Sequence, residues 1–328
     1  MRNITLSILA FSLLFLASCK MKDGKTLMPN VTGKPGEVVL VIDGKQWENT
    51  VGEGYRQQFQ HIHPLLPQDE PLFDLINIPY SAFSKIFKTH RNIVLTKIDK
   101  SYKEPKILIQ RNTWAKPQLV VNVLAKDDST MAQLIREKGH ILVEKILETE
   151  RQRYLTQYKK FNNKGAMESL KRKFGATLAV PDGYSLDVDT TNFAWLAYEK
   201  PDMFQGVFVY TYPYQEGMSM YDRLEKRTEF TKRFVPGEAA DSYMDVELKY
   251  ATPSQRKVQF NGKTFTEIRG LWRVENDYMG GPFINLSYVD TTNNRVVVAD
   301  GFVFAPRGDK RNYLRQVEAI LYSLETAQ

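Results

Sequence analysis

The sequence predicts an α+β protein with mixed and antiparallel sheets, flanking helices and two subdomains of related size. Apolar strand-like runs alternate with short helical patterns in the N-terminal half, whereas the C-terminal half is rich in consecutive strands. Turn signals join neighbouring strands at residues 115–117 and at Asn261-Gly262, which is the strongest two-residue hairpin signal in the chain. Because hairpins interrupt the alternation of strands and helices, a doubly wound parallel fold is not favoured.

The chain begins with a pattern typical of a secretory signal. Arg2 provides positive charge, residues 4–16 are mostly apolar, and small residues precede Cys19, the only cysteine. The apolar run has about 13 residues, whereas a helix needs about 20 to cross a bilayer. We therefore expect residues 1–18 to be removed as a signal peptide.

The residues from Leu16 to Cys19 resemble the lipobox of bacterial lipoproteins. This resemblance implies cleavage before Cys19 and acylation of that residue with palmitate-like chains, and several such chains would anchor the protein firmly because each buried methylene contributes about 0.8 kcal/mol. The alternative is an ordinary secretory signal that contains a cysteine. Lys20 in place of an aspartate implies the outer membrane, and the lack of an acidic cluster in residues 20–25 favours its periplasmic face.

Residues 19–36 are polar and rich in Gly, Pro and Lys, which predicts a flexible tether. Residues 37–162 are expected to form an N-terminal α/β-type subdomain. Its expected elements, in order, are a strand at 37–42, a helix at 47–60, an extended run at 71–78, a short helix near 83–87, a strand from 92, two strands within 106–114 and 118–125, and a long helix from about 129 to 160.

Residues 163–328 are expected to form a C-terminal α+β subdomain with a β-meander, and the polar, glycine-containing residues 162–165 mark the boundary. Its expected elements are helices at 166–174, 221–235 and 311–324, and strands at 193–199, 206–212, 258–260, 263–274, 283–289 and 295–304.

Four aromatic residues are candidates for ligand binding. A strand over residues 206–214 would align Tyr210 and Tyr212 on one face, where their rings could stack on a glycan. Trp272 and Tyr278 lie in a glycine-containing loop region that could also line a cleft. The alternative is that these four side chains fill a core beneath a helix.

No motif for a catalytic nucleophile, a phosphate-binding loop, a dinucleotide or a structural zinc is present, so we assign no catalytic residue, no metal and no cofactor. His61 and His63 could bind a metal with an acid among residues 69–74, but a surface role is favoured. Glu275 and Asp277 could be paired carboxylates of a glycosidase, although a turn is favoured there.

Between residues 151 and 173 the chain is strongly basic. Such a run could contact anionic headgroups, and the alternative is a solvated helix face.

Several stretches together resemble an uncharacterised family of bacterial lipoproteins, the domain of unknown function numbered four-eight-three-seven. They are LPQDEPLFD at 66–74, HRNIVL at 90–95, VPDGY at 180–184, YTYPY at 210–214, VPGEAADSYM at 235–244 and GLWRVENDYMGGPF at 270–283. The resemblance extends over the mature chain and implies lipidation at Cys19. It implies no catalytic residue, cofactor or substrate.

The sequence thus leads us to expect a lipid-anchored envelope lipoprotein that acts without catalysis as a binding, assembly or maintenance factor. The alternative is an envelope glycan hydrolase or a glycan-binding lipoprotein. The expected partners are the membrane, through Cys19, and an envelope protein or glycan. Export makes nucleic acid an improbable partner, although the net charge is +7.

Overall fold

The computed structural model describes residues 28–237 and 239–326, and it confirms the α+β class with two domains. The first sheet has the order β2-β1-β3-β5-β4, in which β4 is antiparallel to β5 and the other neighbours are parallel. The hairpin predicted around residues 115–117 is therefore present. The strands are β1 Glu37–Val41, β2 Asp74–Ile78, β3 Asn92–Ile98, β4 Lys106–Arg111 and β5 Leu119–Ala125.

Four helices belong to this half of the chain: α1 Gly44–Trp47, α2 Thr50–Phe59, α3 Lys85–Lys88 and α4 Asp128–Lys160. Helices α2 and α4 cover one face of the first sheet, where Val38 and Leu40 pack with Tyr55. The alternate residues Val39 and Val41 point to the other face, because side chains alternate along a strand. That second face carries only a thin cover, made by Phe83, Phe87 and Trp114.

Helix α4 begins where Asp127 accepts a hydrogen bond from the Thr130 amide (2.8 Å), as a helix N-cap does. Its first half contributes Ile135 and its neighbours to the core of the first sheet. Its last turns contribute Leu155 and Tyr158 to the core of the C-terminal half. One helix therefore belongs to both hydrophobic cores.

The second sheet is antiparallel throughout, with the order β10-β12-β13-β14-β9-β8-β7, and β11 also pairs with β12. Asn261 and Gly262, both with positive φ, join β11 to β12 as predicted. The strands are β7 Ser185–Asp189, β8 Phe193–Lys200, β9 Met203–Pro213, β10 Met244–Glu247, β11 Ser254–Phe260, β12 Lys263–Val274, β13 Gly280–Asp290 and β14 Arg295–Phe304.

Three more helices cover the second sheet: α5 Lys164–Phe174, α6 Met220–Phe234 and α7 Arg311–Leu321. Val207 and Val209 face the core that includes α5, α7 and the end of α4. Phe208 and Tyr210 face the opposite core, beneath α6. Two short strands, β6 Ala176–Thr177 and β15 Glu325–Thr326, pair separately.

Residues 29–32, near the C-terminal end of the flexible tether predicted over residues 19–36, are bound to the first domain. The Val31 amide donates to the Lys116 carbonyl (3.2 Å), and the Thr32 amide donates to the Thr89 carbonyl (2.9 Å). These bonds hold residues 29–32 against the first domain, because an extended segment satisfies its backbone there. The predicted signal peptide, Cys19 and the tether up to residue 27 lie outside the described residues. Within the described part of the chain, no helix has the length and apolarity needed to span a bilayer.

Candidate functional site

A groove with a volume of about 1270 Å³ lies at one end of the second sheet. Strands β10 and β12 and the turn before β13 form one side, and residues 65–67 of the N-terminal half form the other. We call this cavity the end groove. It is lined by Leu65, Leu66, Pro67, Asp245, Val246, Glu247, Leu248, Lys249, Tyr250, Ala251, Leu271, Trp272, Arg273, Asp277, Tyr278, Met279, Gly280 and Gly281.

Arg273 is the charged centre of the end groove. The antiparallel register sets Asp245 opposite Arg273 and Glu247 opposite Leu271, so these side chains project from the same face. The Arg273 guanidinium lies 2.5 Å from Glu275 Oε2, 3.6 Å from Asp245 Oδ2 and 3.7 Å from Glu247 Oε2. Because the Arg273 side chain is 39% exposed, these pairs are screened by water and remain available to a ligand.

Three exposed side chains form the rim of the end groove. Leu248 is 52% exposed, Tyr250 is 77% exposed and Tyr278 is fully exposed. The turn that carries Tyr250 is held by Glu247, whose Oε1 accepts hydrogen bonds from the amides of Lys249 and Tyr250. Neighbouring exposed apolar side chains of this kind are a common feature of interaction sites.

Two glycines let the floor of the end groove approach its neighbours closely. A Cβ atom added at Gly280 would lie 2.8 Å from the Trp272 carbonyl oxygen, and one added at Gly281 would lie 2.1 Å from the Val303 carbonyl oxygen. Backbone atoms cannot move aside as a flexible side chain can. The Gly-Gly pair is therefore required for this packing.

A second cavity of about 460 Å³ lies behind the first, on the face of the sheet covered by α6. It is mainly aromatic and aliphatic, and Trp272 and Met279 contribute to both cavities. The indole nitrogen of Trp195, one of its lining residues, is buried and has no hydrogen-bond partner among residues 28–237 and 239–326.

The structure separates the four predicted binding residues into two pairs. Tyr210 and Tyr212 are buried beneath α6, with 1% and 6% exposure, and Tyr210 stands 4.7 Å from the ring of Phe230. Burial raises the pKa of Tyr210 well above its usual range, and its hydroxyl accepts a hydrogen bond from Asn285. The prediction that these two rings stack on a glycan is therefore replaced by a packing role, because α6 covers both rings.

Trp272 and Tyr278 do meet at the end groove. Trp272 is 2% exposed and its Nε1 donates to the Val303 carbonyl (3.3 Å), so it is mainly a packing residue with one edge on the cavity. Tyr278 stands on the rim.

Sequence reasoning missed the residues of β10 that line the end groove. The alternation of acid and apolar residues in DVEL, 245–248, is typical of an edge strand with one polar face, and that signal was available. Residues 65–67 offered no such signal, because they reach the groove from the other half of the chain.

Glu275 and Asp277 lie in the tight turn that joins β12 to β13. Asn276 between them has a positive φ of 62°, the Val274 amide donates to the Met279 carbonyl, and Asp277 accepts from the Tyr278 amide. The favoured turn interpretation is therefore correct for these residues.

Three of the residues proposed as metal ligands, His63, Glu70 and Asp74, lie at the junction between the halves, whereas His61 is exposed and contacts the nearby Gln58 carbonyl. Glu70 accepts hydrogen bonds from the amides of Lys310 and Arg311, and Asp74 pairs with Arg311 at 2.7 Å. Burial lowers the pKa of His63 to about 4, and its Nδ1 donates to the Pro64 carbonyl. No cluster of three or more metal-binding side chains occurs in the described parts of the chain.

Some of the basic side chains within residues 151–173 form ion pairs inside the protein. Arg151 pairs with Glu318 of α7 at 2.6 Å, and Arg153 pairs with Glu150 at 2.8 Å. Both guanidinium groups are therefore engaged within the protein, and the Arg153 side chain is only 8% exposed.

Fold and site together define a two-domain α+β protein with an open groove where the domains meet. Residues 163–323 match the model of the family described as Domain of unknown function (DUF4837), the family that the resemblance named. Residues 31–159 match a different model, Domain of unknown function (DUF8532). The stretches at 66–74 and 90–95, which the resemblance assigned to the first family, therefore fall within the second.

The sequence matches none of the curated proteins. Among solved structures, the Ran-binding protein Mog1p of Saccharomyces cerevisiae is 9% identical, with 47% of this chain and 91% of that chain covered and a TM-score of 0.31. A mutant of Mog1 is 10% identical, with 47% and 92% covered and a TM-score of 0.29. Likeness at this level supports no argument about fold or function.

Proposed function

We propose that the protein is a lipid-anchored binding protein of the cell envelope, attached through Cys19 at the periplasmic face of the outer membrane. Its end groove binds an envelope partner, either a protein segment or a glycan, without catalysis. The observation that carries this proposal is the exposed rim of Leu248, Tyr250 and Tyr278 around the ion-paired centre at Arg273.

The chemistry of the end groove suits recognition. Tyrosine rings offer a flat apolar surface with a polar tip, which suits both sugar rings and peptide side chains. Arg273 and its carboxylates provide donors and acceptors that can exchange partners with a ligand, since they are already partly hydrated. Polar groups that converge within a largely apolar cleft are the usual composition of a binding site.

A glycan hydrolase is the second candidate, because Glu275 and Asp277 lie beside the end groove. The Arg273 guanidinium lies 2.5 Å from Glu275 Oε2, so this carboxylate is engaged within the protein rather than free to face a glycosidic bond. Asp277 is engaged by the backbone of its own turn. These contacts favour binding over hydrolysis.

The proposal is tested by site-specific photocrosslinking in intact envelopes. The full lipoprotein carries a photoreactive amino acid in place of Tyr278, and the control carries it in place of Tyr221, an exposed tyrosine of α6 with 55% exposure. We expect one reproducible adduct from Tyr278, weakened by Arg273→Gln, and none from Tyr221. Equal yields from both positions would contradict a ligand site at the end groove.

Two further variants test the anchor and the alternative. Cys19→Ala should move the protein from the membrane fraction to the soluble fraction, and retention in the membrane would contradict the anchor. Release of sugars from purified envelope glycan that disappears in Glu275→Gln would replace the binding proposal with the hydrolase.

A further inference from the structure

Three segments of the first domain contain basic residues and lack acidic residues, while Glu37 and Asp43 accept hydrogen bonds from two of them, at the amides of Lys34 and Tyr80. Residues 28–36, 79–89 and 105–118 contain no Asp or Glu. Their basic residues are Lys34, Lys85, Lys88, Lys106, Arg111 and Lys116.

Backbone contacts bring these segments together where the described chain begins. The Lys116 amide donates to the Pro29 carbonyl (2.8 Å), and the Val31 amide donates back to Lys116. Thr32 bonds to Thr89 next to α3, and the Thr89 hydroxyl donates to the Ile86 carbonyl (3.1 Å). We call Met28, Lys85, Ile86, Lys88 and Lys116 the anchor-side patch.

The anchor-side patch combines positive charge with exposed apolar side chains. Ile86 is 74% exposed and Met28 is 44% exposed, while Lys85 and Lys116 are also exposed. Lys88 extends over the ring of Trp114, with its Nζ 6.0 Å from the ring centroid. A lysine that covers an apolar surface with its stem and keeps its charge in water is common at membrane interfaces.

The anchor-side patch is close in sequence to the lipid attachment point. Nine peptide steps separate Cys19 from Met28, and a fully extended chain advances at most about 3.6 Å per residue. The Cα atom of Met28 therefore lies within about 32 Å of the Cα atom of Cys19. Lys20, Lys22 and Lys25 add positive charge to this interval.

We propose that the anchor-side patch rests on the anionic headgroups of the membrane that holds Cys19, an inference that depends on the proposed lipid anchor. A basic residue near an anionic surface gains about 1 kcal/mol, and exposed apolar side chains add to this by entering the interfacial region. Lys85, Ile86 and Lys88 flank Phe87, which covers the face of the first sheet that faces away from α2. Lys116 lies at the edge of that sheet, where its neighbour Pro117 accepts a hydrogen bond from Arg153 of α4.

A single labelled thiol tests this contact on the full lipoprotein. Cys19 is the only cysteine and is acylated in the lipoprotein, so Ile86→Cys provides one free thiol for an environment-sensitive fluorophore. Tyr221→Cys on α6, across the second sheet, is the matched control. Both proteins are reconstituted into phosphatidylcholine vesicles with or without phosphatidylglycerol.

With phosphatidylglycerol, we expect a blue-shifted emission at position 86 and severalfold slower quenching by an aqueous quencher than at position 221. Charge reversal by Lys85→Glu and Lys116→Glu, or high salt, should reduce this difference.

Failure to float with vesicles would show that the anchor itself is wrong. If the protein floats but both labels are quenched equally in anionic vesicles, the membrane contact is overturned while the anchor stands. Protection at position 86 that is unchanged without phosphatidylglycerol would overturn the electrostatic contact. Protection that needs added envelope protein would assign the patch to a protein partner instead and would also overturn the inference.

Discussion

At the scale of single residues, the unusual feature of the core beneath α6 is a completely buried ion pair. Arg227 Nε lies 3.0 Å from Asp300 Oδ2, both side chains have 0% exposure, and Asn285 donates to the same oxygen (2.8 Å). Arg227 Nη1 and Asp300 Oδ1 have no hydrogen-bond partner within the described chain. Such a pair contributes little net stability, but loss of one partner leaves an uncompensated buried charge.

We predict that Arg227→Met alone lowers the free energy of unfolding by about 3–5 kcal/mol, because Asp300 is left in an apolar core without its ion-pair partner. The double variant Arg227→Met with Asp300→Leu should recover most of this loss. Urea unfolding of the single and double variants measures the coupling. Additive losses would show that the two charges do not interact in the folded protein.

At the scale of elements, the N-terminus of α7 depends on a residue from the other half of the chain. Lys310 at the N-cap position makes no side-chain cap, and the carboxylate of Glu70 instead accepts from the amides of Lys310 (2.7 Å) and Arg311 (2.9 Å). The first amides of a helix need such acceptors, and a negative charge there also interacts favourably with the helix dipole. Glu70 therefore joins the two domains while it caps the helix.

We predict that Glu70→Ala lowers the free energy of unfolding by about 1–2 kcal/mol, as expected for the loss of a helix cap. The exposed neighbour Asp69 provides the control, and Asp69→Ala should change stability by less than about 0.5 kcal/mol. Chemical denaturation followed by circular dichroism gives both values. Equal effects of the two substitutions would rule out a specific capping role for Glu70.

At the scale of the whole molecule, α4 and a charged junction bind the two domains together. Arg151 of α4 and Arg269 of β12 both pair with Glu318 of α7, at 2.6 and 3.1 Å. Burial alone would raise the pKa of Glu318, but the two guanidinium groups outweigh it and hold that pKa well below its usual range. Since α4 also contributes to both cores, the domains are expected to unfold together.

His63 makes the stability of this junction depend on pH. Burial, with a smaller effect of Arg269 and Arg315 of the other half, lowers its pKa to about 4, while its bond to Pro64 and the charge of Glu318 oppose the shift. The unfolded histidine has a pKa of about 6.5, so between these values the unfolded state binds more protons. The contribution of His63 to the free energy of unfolding is therefore fully present above about pH 6.5, and it is lost as the pH falls towards 4.

We predict that the free energy of unfolding falls by about 1–2 kcal/mol between pH 7 and pH 5 because of His63. This energy follows from about 1.4 kcal/mol per pKa unit, reduced because the side chain is partly accessible to solvent. His63→Gln should remove this part of the pH dependence. The exposed His140 is the control, since His140→Gln should leave it unchanged. Thermal unfolding at both pH values provides the comparison, and an unaltered profile in His63→Gln would contradict the assignment.

Local physical chemistry made much of the fold predictable. The cap at Asp127 and the apolar stripe after it predict α4, the Asn261-Gly262 pair predicts its hairpin, and the alternation in residues 206–212 predicts both faces of β9. Each of these signals depends on residues a few positions apart. The lipobox at Cys19 is likewise a property of the sequence alone, and it remains a prediction.

Only the tertiary structure decided which aromatic residues reach solvent and where a site lies. Tyr210 and Tyr278 are the same amino acid in the sequence. In the fold, however, α6 covers Tyr210, whereas the turn after β12 exposes Tyr278 to solvent. The end groove joins residues 65–67 to β10, and Glu70 caps α7 across an even longer separation in sequence. Such neighbours are brought together by the packing of whole elements, which no short-range pattern encodes.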